Sequence, residues 1–187
     1  MERQVITRAL HPDQFEIEGA EGRTLHSRLM RWDEENMVSD GGPAYPEVWR
    51  KGVFAQSIRR AQSTGRGWPL MFNHDKNGMP VGMVSMIHER ADGPWATSKI
   101  SRTSLGDDII QLVQDGVLGV SVSGLVIRSR KDPHTGVVER TELAVQEISV
   151  TPFPSLKGAD ELVLRSQQEP TVDGSIAEMQ TFLDSLR

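Results

Sequence analysis

Two serines lie in an apolar stretch near the middle of the chain, where a hydroxyl needs either a hydrogen-bond partner or a chemical role. The stretch reads VLGVSVSGL over residues 117–125 and contains Ser121 and Ser123. Because side chains alternate along a strand, both serines face one side and the alternate valines face the other. Gly119 shares the serine side and leaves room for a close approach to the backbone. The pattern fits a nucleophile on a strand, and it also fits a strand whose second face is merely solvated.

A histidine at the end of an apolar segment is the second candidate. His74 follows WPLMFN and precedes the turn KNGMP, a position that presents a side chain at the end of a strand. A solvated or purely structural role is the competing interpretation. Four further histidines lie in turns or in exposed strand positions: His11, His26, His88 and His134. No HxH or HxxxH pair occurs, so the sequence does not support a zinc site.

A carboxylate in AVQEISVTPFP is the third candidate. The alternation predicts that Val145, Glu147 and Ser149 share one face of a strand. A carboxylate among apolar residues must be paired or exposed, so an outward-facing Glu147 is an equally good reading. Other carboxylates have no spacing that distinguishes them: Asp75, Asp107, Asp108 and Asp115.

Composition limits the class of protein. A chain of 187 residues predicts one domain of ordinary size with some length to spare. The net charge of −5 argues against a general nucleic-acid binder. Because cysteine is absent, disulfides, thiolate metal sites and a Cys nucleophile are excluded. No apolar run approaches the roughly 18 residues that span a bilayer, which predicts a soluble protein kept inside a cell.

The hydrophobic pattern predicts a β-rich α+β domain with two or three helices. Short alternating segments and turns predict strands in 1–32, 68–75, 81–100 and 117–130, followed by a strand pair, VVERTEL and VQEISVT. Helices are expected within 49–62 and 104–116, the second with Ser104 as N-cap and Gly116 at its end.

The C-terminal part has a different composition. Residues 165–175, RSQQEPTVDGS, have the composition of a flexible linker. Residues 176–187 place apolar side chains on one helical face and predict a C-terminal amphipathic helix. We therefore expect a domain over 1–164, followed by a linker and a tethered helix.

Four segments, in this order, resemble the prohead (capsid-maturation) protease family of tailed phages, serine peptidases similar in fold to herpesvirus assemblin. They are GVFAQSI (52–58), FNHDKNGMPVG (72–82), IIQLVQDGVLGVSVSG (109–124) and QEISVTPFPSLKGA (146–159). The resemblance runs over roughly residues 24–164. It implies an assemblin-like barrel of mostly antiparallel strands with a few surrounding helices, and it identifies 1–164 as a prohead protease domain.

The resemblance also assigns roles to the candidate residues. His74 matches the family's catalytic histidine, Ser121 its nucleophile, and Glu147 the acidic residue proposed as the third member. The family commonly has glycine two places after the nucleophile, whereas this chain has Ser123, which is therefore an alternative nucleophile. The spacing to Gly116 and Gly119 favours Ser121. In such a site the imidazole takes the proton of the serine hydroxyl, and the carboxylate holds the imidazole in place.

The function implied by the resemblance is a Ser-His-Glu serine endopeptidase that cleaves capsid and scaffold proteins, and itself, during phage procapsid maturation. It needs no metal or cofactor. The substrates would be the major capsid protein precursor and its scaffold segment, inside the procapsid in the host cytoplasm, or in the bacterial cytoplasm if a prophage encodes the chain. Assemblin-like proteases dimerise through a helix, so a homodimer is the corresponding expectation. No membrane and no specific nucleic acid is implied.

Two alternatives belong to other classes of protein. A non-enzymatic procapsid scaffold or packing component could retain the protease fold, and the linker and amphipathic helix suit such a tether. An unrelated host β-barrel binding module would place His74, Ser121 and Glu147 more than about 10 Å apart, beyond the reach of catalytic hydrogen bonds.

Overall fold

Ten strands in one sheet and two helices make up the described part of the chain. The computed structural model describes residues 4–10, 15–18 and 22–152. The predicted linker 165–175 and the predicted helix 176–187 lie outside these residues. No helix in the described ranges is long and apolar enough to cross a bilayer. The strands are β1 (Val5–Leu10), β2 (Phe15–Glu18), β3 (Thr24–Arg28), β4 (Asn36–Val38), β5 (Tyr45–Trp49), β6 (Trp68–Phe72), β7 (Gly82–Glu89), β8 (Pro94–Ile100), β9 (Gly119–Lys131) and β10 (Val138–Thr151).

The sheet is a curled half-barrel of mixed strand direction. Its main path runs β1-β9-β10-β6-β7-β8-β3-β2, and β5 also pairs with β10 and carries β4 on its other side. Most neighbouring strands are antiparallel, as expected, but β10 is parallel to both β5 and β6. In the described residues β1 and β2 lie at opposite ends of the path and do not pair. The expected assemblin-like barrel is therefore corrected to an open, mixed half-barrel in the part of the chain that the structure describes.

The long hairpin of β9 and β10 is the centre of the sheet. The sequence predicts a pair of strands after the turn KDPHTG, but residues 138–151 form one continuous strand. Register shifts occur after Arg140, after Glu142 and between Val145 and Glu147. Bulges of this kind bend a strand without ending it, which explains why the polar interruptions in its sequence do not divide it.

The first helix covers a gap in the sheet. On one side, β10 pairs with β5 up to Arg140 and with β6 from Ile148 onward. Between these pairings, Ser57 of α1 (Ala55–Thr64) donates its hydroxyl to Leu143 O at 2.8 Å and accepts Val145 N–H at 3.0 Å. The helix thus satisfies strand groups that have no strand partner, as buried backbone groups require. It ends at Gly65, whose φ of 63° is the left-handed conformation of a common C-cap.

The second helix positions the start of β9. Helix α2 spans Ser104–Gln114 and ends, as predicted, before Gly116, which has a φ of 70°. Its N-cap is Thr103, whose side chain accepts the Gly106 N–H, so the expectation of Ser104 as the cap is wrong by one residue. Both residues carry a hydroxyl, and sequence alone does not decide which of two neighbours adopts the extended cap conformation.

A buried cluster of charges holds the first strand against the rest of the fold. Glu47 on β5 is fully buried. Its carboxylate accepts hydrogen bonds from Arg8 Nε on β1 and Arg140 Nε on β10, both at 2.6 Å, and from the Trp49 indole at 2.8 Å. Arg8 also donates to Asp40 at 2.8 Å. Every charge in the cluster has an opposite partner, as burial demands.

We predict that Glu47→Gln lowers the free energy of unfolding by about 3–5 kcal/mol, because an amide presents an N–H to one of the two buried guanidinium groups. Urea denaturation at neutral pH measures the loss. Asp33→Asn is the matched control, since the Asp33 side chain is 60% exposed where it bridges Arg50, and exposed pairs contribute only about 0–1 kcal/mol. Equal unfolding midpoints for the two variants would contradict the prediction.

We predict that Gly124→Ala destabilises the β9–β10 hairpin. A Cβ at this position would lie 2.6 Å from the backbone oxygen of Ala144 on the neighbouring strand. Because backbone cannot move aside cheaply, we expect a loss of about 1–3 kcal/mol in the unfolding free energy. Gly42→Ala is the control, since its Cβ would meet nothing within 4 Å. A Gly124→Ala protein as stable as the Gly42→Ala protein would show that the strands can separate without cost.

Candidate active site

The pairing of β9 with β10 places the candidate residues side by side. Ser121 lies opposite Ser149, and Ser123 lies opposite Glu147. The alternate residues Val120 and Val122 belong to the hydrophobic core, so the serines face the other side of the sheet. Ser121 and Ser123 are only 1% and 2% exposed. The reading of this face as merely solvated is therefore wrong.

A bulge brings Glu147 to the serine face. Val145 pairs with Gly124, whereas Glu147 pairs with Ser123, so Gln146 is an extra residue on β10. Val145 packs against the core. The expectation that Val145 and Glu147 share one face is consequently wrong: simple alternation would put Glu147 opposite Val122 on the core side, and the bulge reverses it. The reading of Glu147 as an outward-facing, exposed side chain is also wrong, because this residue is 5% exposed.

The loop after β6 presents the histidine in an uncommon backbone conformation. Asn73 and His74 have φ values of 50° and 56°, a region that non-glycine residues seldom adopt. Two hydrogen bonds from the loop to β10 hold it there: Asn73 N–H donates to Val150 O at 2.9 Å, and His74 N–H donates to the Ser149 hydroxyl at 3.1 Å. In addition, the Thr151 hydroxyl donates to the Asn73 side chain at 3.2 Å.

The imidazole of His74 links a hydroxyl to a carboxylate. Its Nδ1 lies 2.6 Å from Glu147 Oε1, and its Nε2 lies 2.6 Å from Ser121 Oγ. Because a carboxylate only accepts hydrogen bonds, Nδ1 carries the proton and Nε2 is free to accept from the serine hydroxyl. The His74 side chain is 23% exposed and that of Glu147 is 6% exposed, so the imidazole stands between solvent and a buried carboxylate. A host binding module with these three groups far apart is excluded.

Ser123 lies too far along β9 to take the place of Ser121 in the hydrogen bond with the His74 imidazole. Ser123 is two residues along β9 from Ser121, a rise of roughly 7 Å. In the described residues the imidazole of His74 makes its hydrogen bonds to Ser121 and Glu147. The geometry therefore places Ser121, rather than Ser123, where an imidazole could take its proton.

The remaining candidate carboxylates have other surroundings. Asp75, although it neighbours His74, accepts the Asn77 N–H at 2.9 Å and so closes the KNG turn. Asp107 pairs with Arg23, and Asp115 accepts from Gln111. Asp108 is exposed on α2.

Two arginines that follow the serine strand lie far from the imidazole. Arg128 and Arg130 are 74% and 76% exposed and pair with Glu142 and Glu139. They lie seven and nine residues beyond Ser121 on β9, a rise of roughly 23 Å or more at about 3.3 Å per residue. Within the described structure, neither arginine is therefore part of the group around His74.

Sequence reasoning missed the importance of Ser149. The sequence indicates only that this residue follows Glu147 on the same strand. In the structure its hydroxyl donates to Glu147 Oε2 at 2.7 Å and accepts from His74 N–H. The Glu-x-Ser spacing was the available signal, because residues two apart on a strand share a face.

The arrangement has the chemistry of general-base catalysis. A carboxylate holds one nitrogen of an imidazole, and the other nitrogen lies within hydrogen-bond distance of a hydroxyl. This order of groups activates serine as a nucleophile in several unrelated hydrolase folds.

Comparisons with known proteins identify a family and a similar fold. A family model described as caudovirus prohead serine protease matches residues 13–172. Among solved structures, the capsid assembly protease of bacteriophage T4 is similar, with a TM-score of 0.57 at 9% sequence identity, over 81% of this chain and 99% of that chain. At this identity the likeness concerns the fold alone. No curated protein gives a significant match. The family match covers most of the chain and confirms the resemblance found in the four segments, and the chain therefore belongs to the caudovirus prohead serine protease family.

Proposed function

We propose that this protein is a serine endopeptidase of the Ser-His-Glu type, with Ser121 as nucleophile, His74 as general base and Glu147 as the partner of the imidazole. The observation that carries the proposal is the continuous pair of 2.6 Å contacts from Ser121 Oγ through the His74 ring to Glu147. Membership of a serine protease family supports it. The catalytic type rests on the geometry.

The reaction follows from the positions of the three groups. Ser121 Oγ attacks the carbonyl carbon of a peptide bond while His74 Nε2 takes the hydroxyl proton. The imidazolium, held by Glu147, then gives this proton to the departing amine, and the substrate acyl group remains as an ester on Ser121. Water, deprotonated by His74, attacks the ester, and the proton returns to Ser121 as the acid is released. Each cycle consumes one water and cleaves one peptide bond.

Family and fold point to capsid maturation as the setting. We infer that the substrates are the scaffold segments of capsid subunits inside the procapsid, and that the enzyme also cuts itself. Hydrolysis of many ordered subunits would make maturation irreversible, which a reversible binder could not do. The family match and the similar fold of the T4 capsid assembly protease support this setting.

We predict that Ser121→Ala abolishes cleavage of the capsid subunit, a loss of about 10⁴-fold or more, because no acyl-enzyme can form. The measurement is the mass of the cognate capsid protein after co-expression. Ser123→Ala is the matched control, a buried serine on the same strand face, and it should retain most activity. The opposite result would make Ser123 the nucleophile. Normal assembly of an uncleaved capsid protein, with wild type and with both variants, would instead favour the non-enzymatic scaffold component.

We predict that Glu147→Gln slows cleavage by roughly 10²–10⁴-fold, since an amide can hold the imidazole in the wrong tautomer. His74→Ala should be as inactive as Ser121→Ala, and the variant with both substitutions should be no less active than either, because the effects of residues that act as one unit are non-additive.

The rates of all these variants are compared on purified capsid precursor at matched enzyme concentrations. Wild-type rates for Glu147→Gln would remove this residue from the site.

A further inference from the structure

Ser149 is fully buried and uses its hydroxyl in two directions. The oxygen accepts the backbone N–H of His74 at 3.1 Å, and the hydroxyl donates to Glu147 Oε2 at 2.7 Å. A serine hydroxyl has one proton to donate and lone pairs to accept with, so a single group can serve both contacts. Ser149 is therefore bonded to the carboxylate that faces the imidazole and to the backbone N–H of the residue that carries the imidazole, although it is not bonded to the imidazole itself.

The contact with Glu147 leaves its carboxylate little freedom to rotate. One oxygen meets His74 Nδ1 and the other meets the Ser149 hydroxyl. A carboxylate with only the first contact could turn about its terminal torsion, which is broad and weakly restrained. The second contact fixes the plane of the carboxylate. It therefore also fixes the direction from which Oε1 accepts the hydrogen bond of His74 Nδ1–H.

The contact with His74 acts on the backbone. His74 and Asn73 are consecutive residues in the left-handed region, which is unfavourable for a non-glycine residue unless its surroundings hold it there. The Ser149 hydroxyl accepts the N–H of the residue that carries the imidazole. Loss of that acceptor would leave a partly buried N–H without its partner and would let the loop relax.

We propose that Ser149 is a positioning residue, which sets the orientation of the His74 ring and of the Glu147 carboxylate at the same time. The proposal rests on the proposed function for its catalytic consequence, but its structural claim stands on the two hydrogen bonds. Burial alone does not explain them. Ser27 and Ser98 are buried to the same degree, and their hydroxyls have no hydrogen-bond partner in the described part of the chain.

The first experiment measures how fast a fluorophosphonate probe labels Ser121. The probe reacts with an activated serine and needs no knowledge of the natural cleavage site. We expect Ser149→Ala to lower the labelling rate by about 10–100-fold, the range expected when a catalytic group is misplaced by a fraction of an ångström to 1 Å. Ser98→Ala is the matched control, a buried serine with no bonded hydroxyl, and should label at the wild-type rate. A Ser149→Ala protein that labels as fast as wild type would overturn the proposal.

A double-mutant cycle separates positioning from a general effect on stability. Glu147→Gln removes the carboxylate that Ser149 orients but keeps the bond from His74 N–H to the Ser149 hydroxyl. Ser149→Ala should therefore lower the labelling rate by a clearly smaller factor in the Glu147→Gln background than in the wild-type background, since Ser149 and Glu147 are coupled. An equal loss in both backgrounds would show that Ser149 does not act through Glu147, and the proposal that it orients both groups would fail. Thermal unfolding of each variant confirms that the compared proteins are folded.

The second experiment does not depend on enzymatic activity. The proton on His74 Nδ1 gives a downfield NMR resonance when it is held against a carboxylate, and His74→Ala identifies it. We expect this proton to exchange with water faster in Ser149→Ala than in wild type or in Ser98→Ala. Unchanged exchange would refute the positioning role. Faster exchange in Ser149→Ala than in wild type, combined with a wild-type protein that the probe fails to label, would keep the positioning role and reject the proposed serine protease function.

Discussion

The register between β9 and β10 decides which side chains meet at the candidate site. Ser121 faces Ser149 and Ser123 faces Glu147 only because Gln146 is an extra residue on β10. A one-residue slip in a two-sided strand exchanges its faces, and without the bulge Glu147 would point to the valine side, into the core. The carboxylate would then be buried without the imidazole as its partner, and burial of an unpaired charge would strongly destabilise the fold. The register of β10 on β9 therefore determines both how the two strands pack and where the Glu147 carboxylate lies.

The same strand also holds the histidine. Three consecutive residues at the end of β10 bond to the loop after β6: Ser149 and Thr151 by their hydroxyls, and Val150 by its carbonyl. They maintain the left-handed conformations of Asn73 and His74, which a free loop would rarely adopt. The strain is stored next to the imidazole, and the strand that supplies the carboxylate also stabilises the strained loop. This common support explains how His74 and Glu147, distant in sequence, keep a contact of 2.6 Å.

The sequence singled out His74, Ser121 and Glu147, whose side chains are in contact in the structure, but it did not predict what supports them. The three residues could be chosen because the resemblance to the family rests on segments in a fixed order. A strict two-residue alternation missed the bulge at Gln146, where the core-side positions shift in phase from Leu143 and Val145 to Ile148 and Val150. The two-strand interpretation failed because β10 continues through its bulges. The role of Ser149 depends on two contacts across the fold, and only the folded chain shows them. The strand-rich class followed from periodicity, whereas the parallel pairings of β10 required knowledge of topology.

The position of the site also depends on contacts that hold β10 at a distance from it. At the other end of the strand, Arg140 is fixed by the fully buried Glu47. Between that end and the site, Ser57 of α1 bonds to the strand at Leu143 and Val145, where the side of β10 away from β9 has no strand neighbour among the described residues. Packed interiors transmit displacement because they contain few voids. A shift at the ion pair or at the helix would therefore move along a continuous strand toward the carboxylate. The charge cluster and the helix are distant from the reaction, but they act on the same rigid element that positions it.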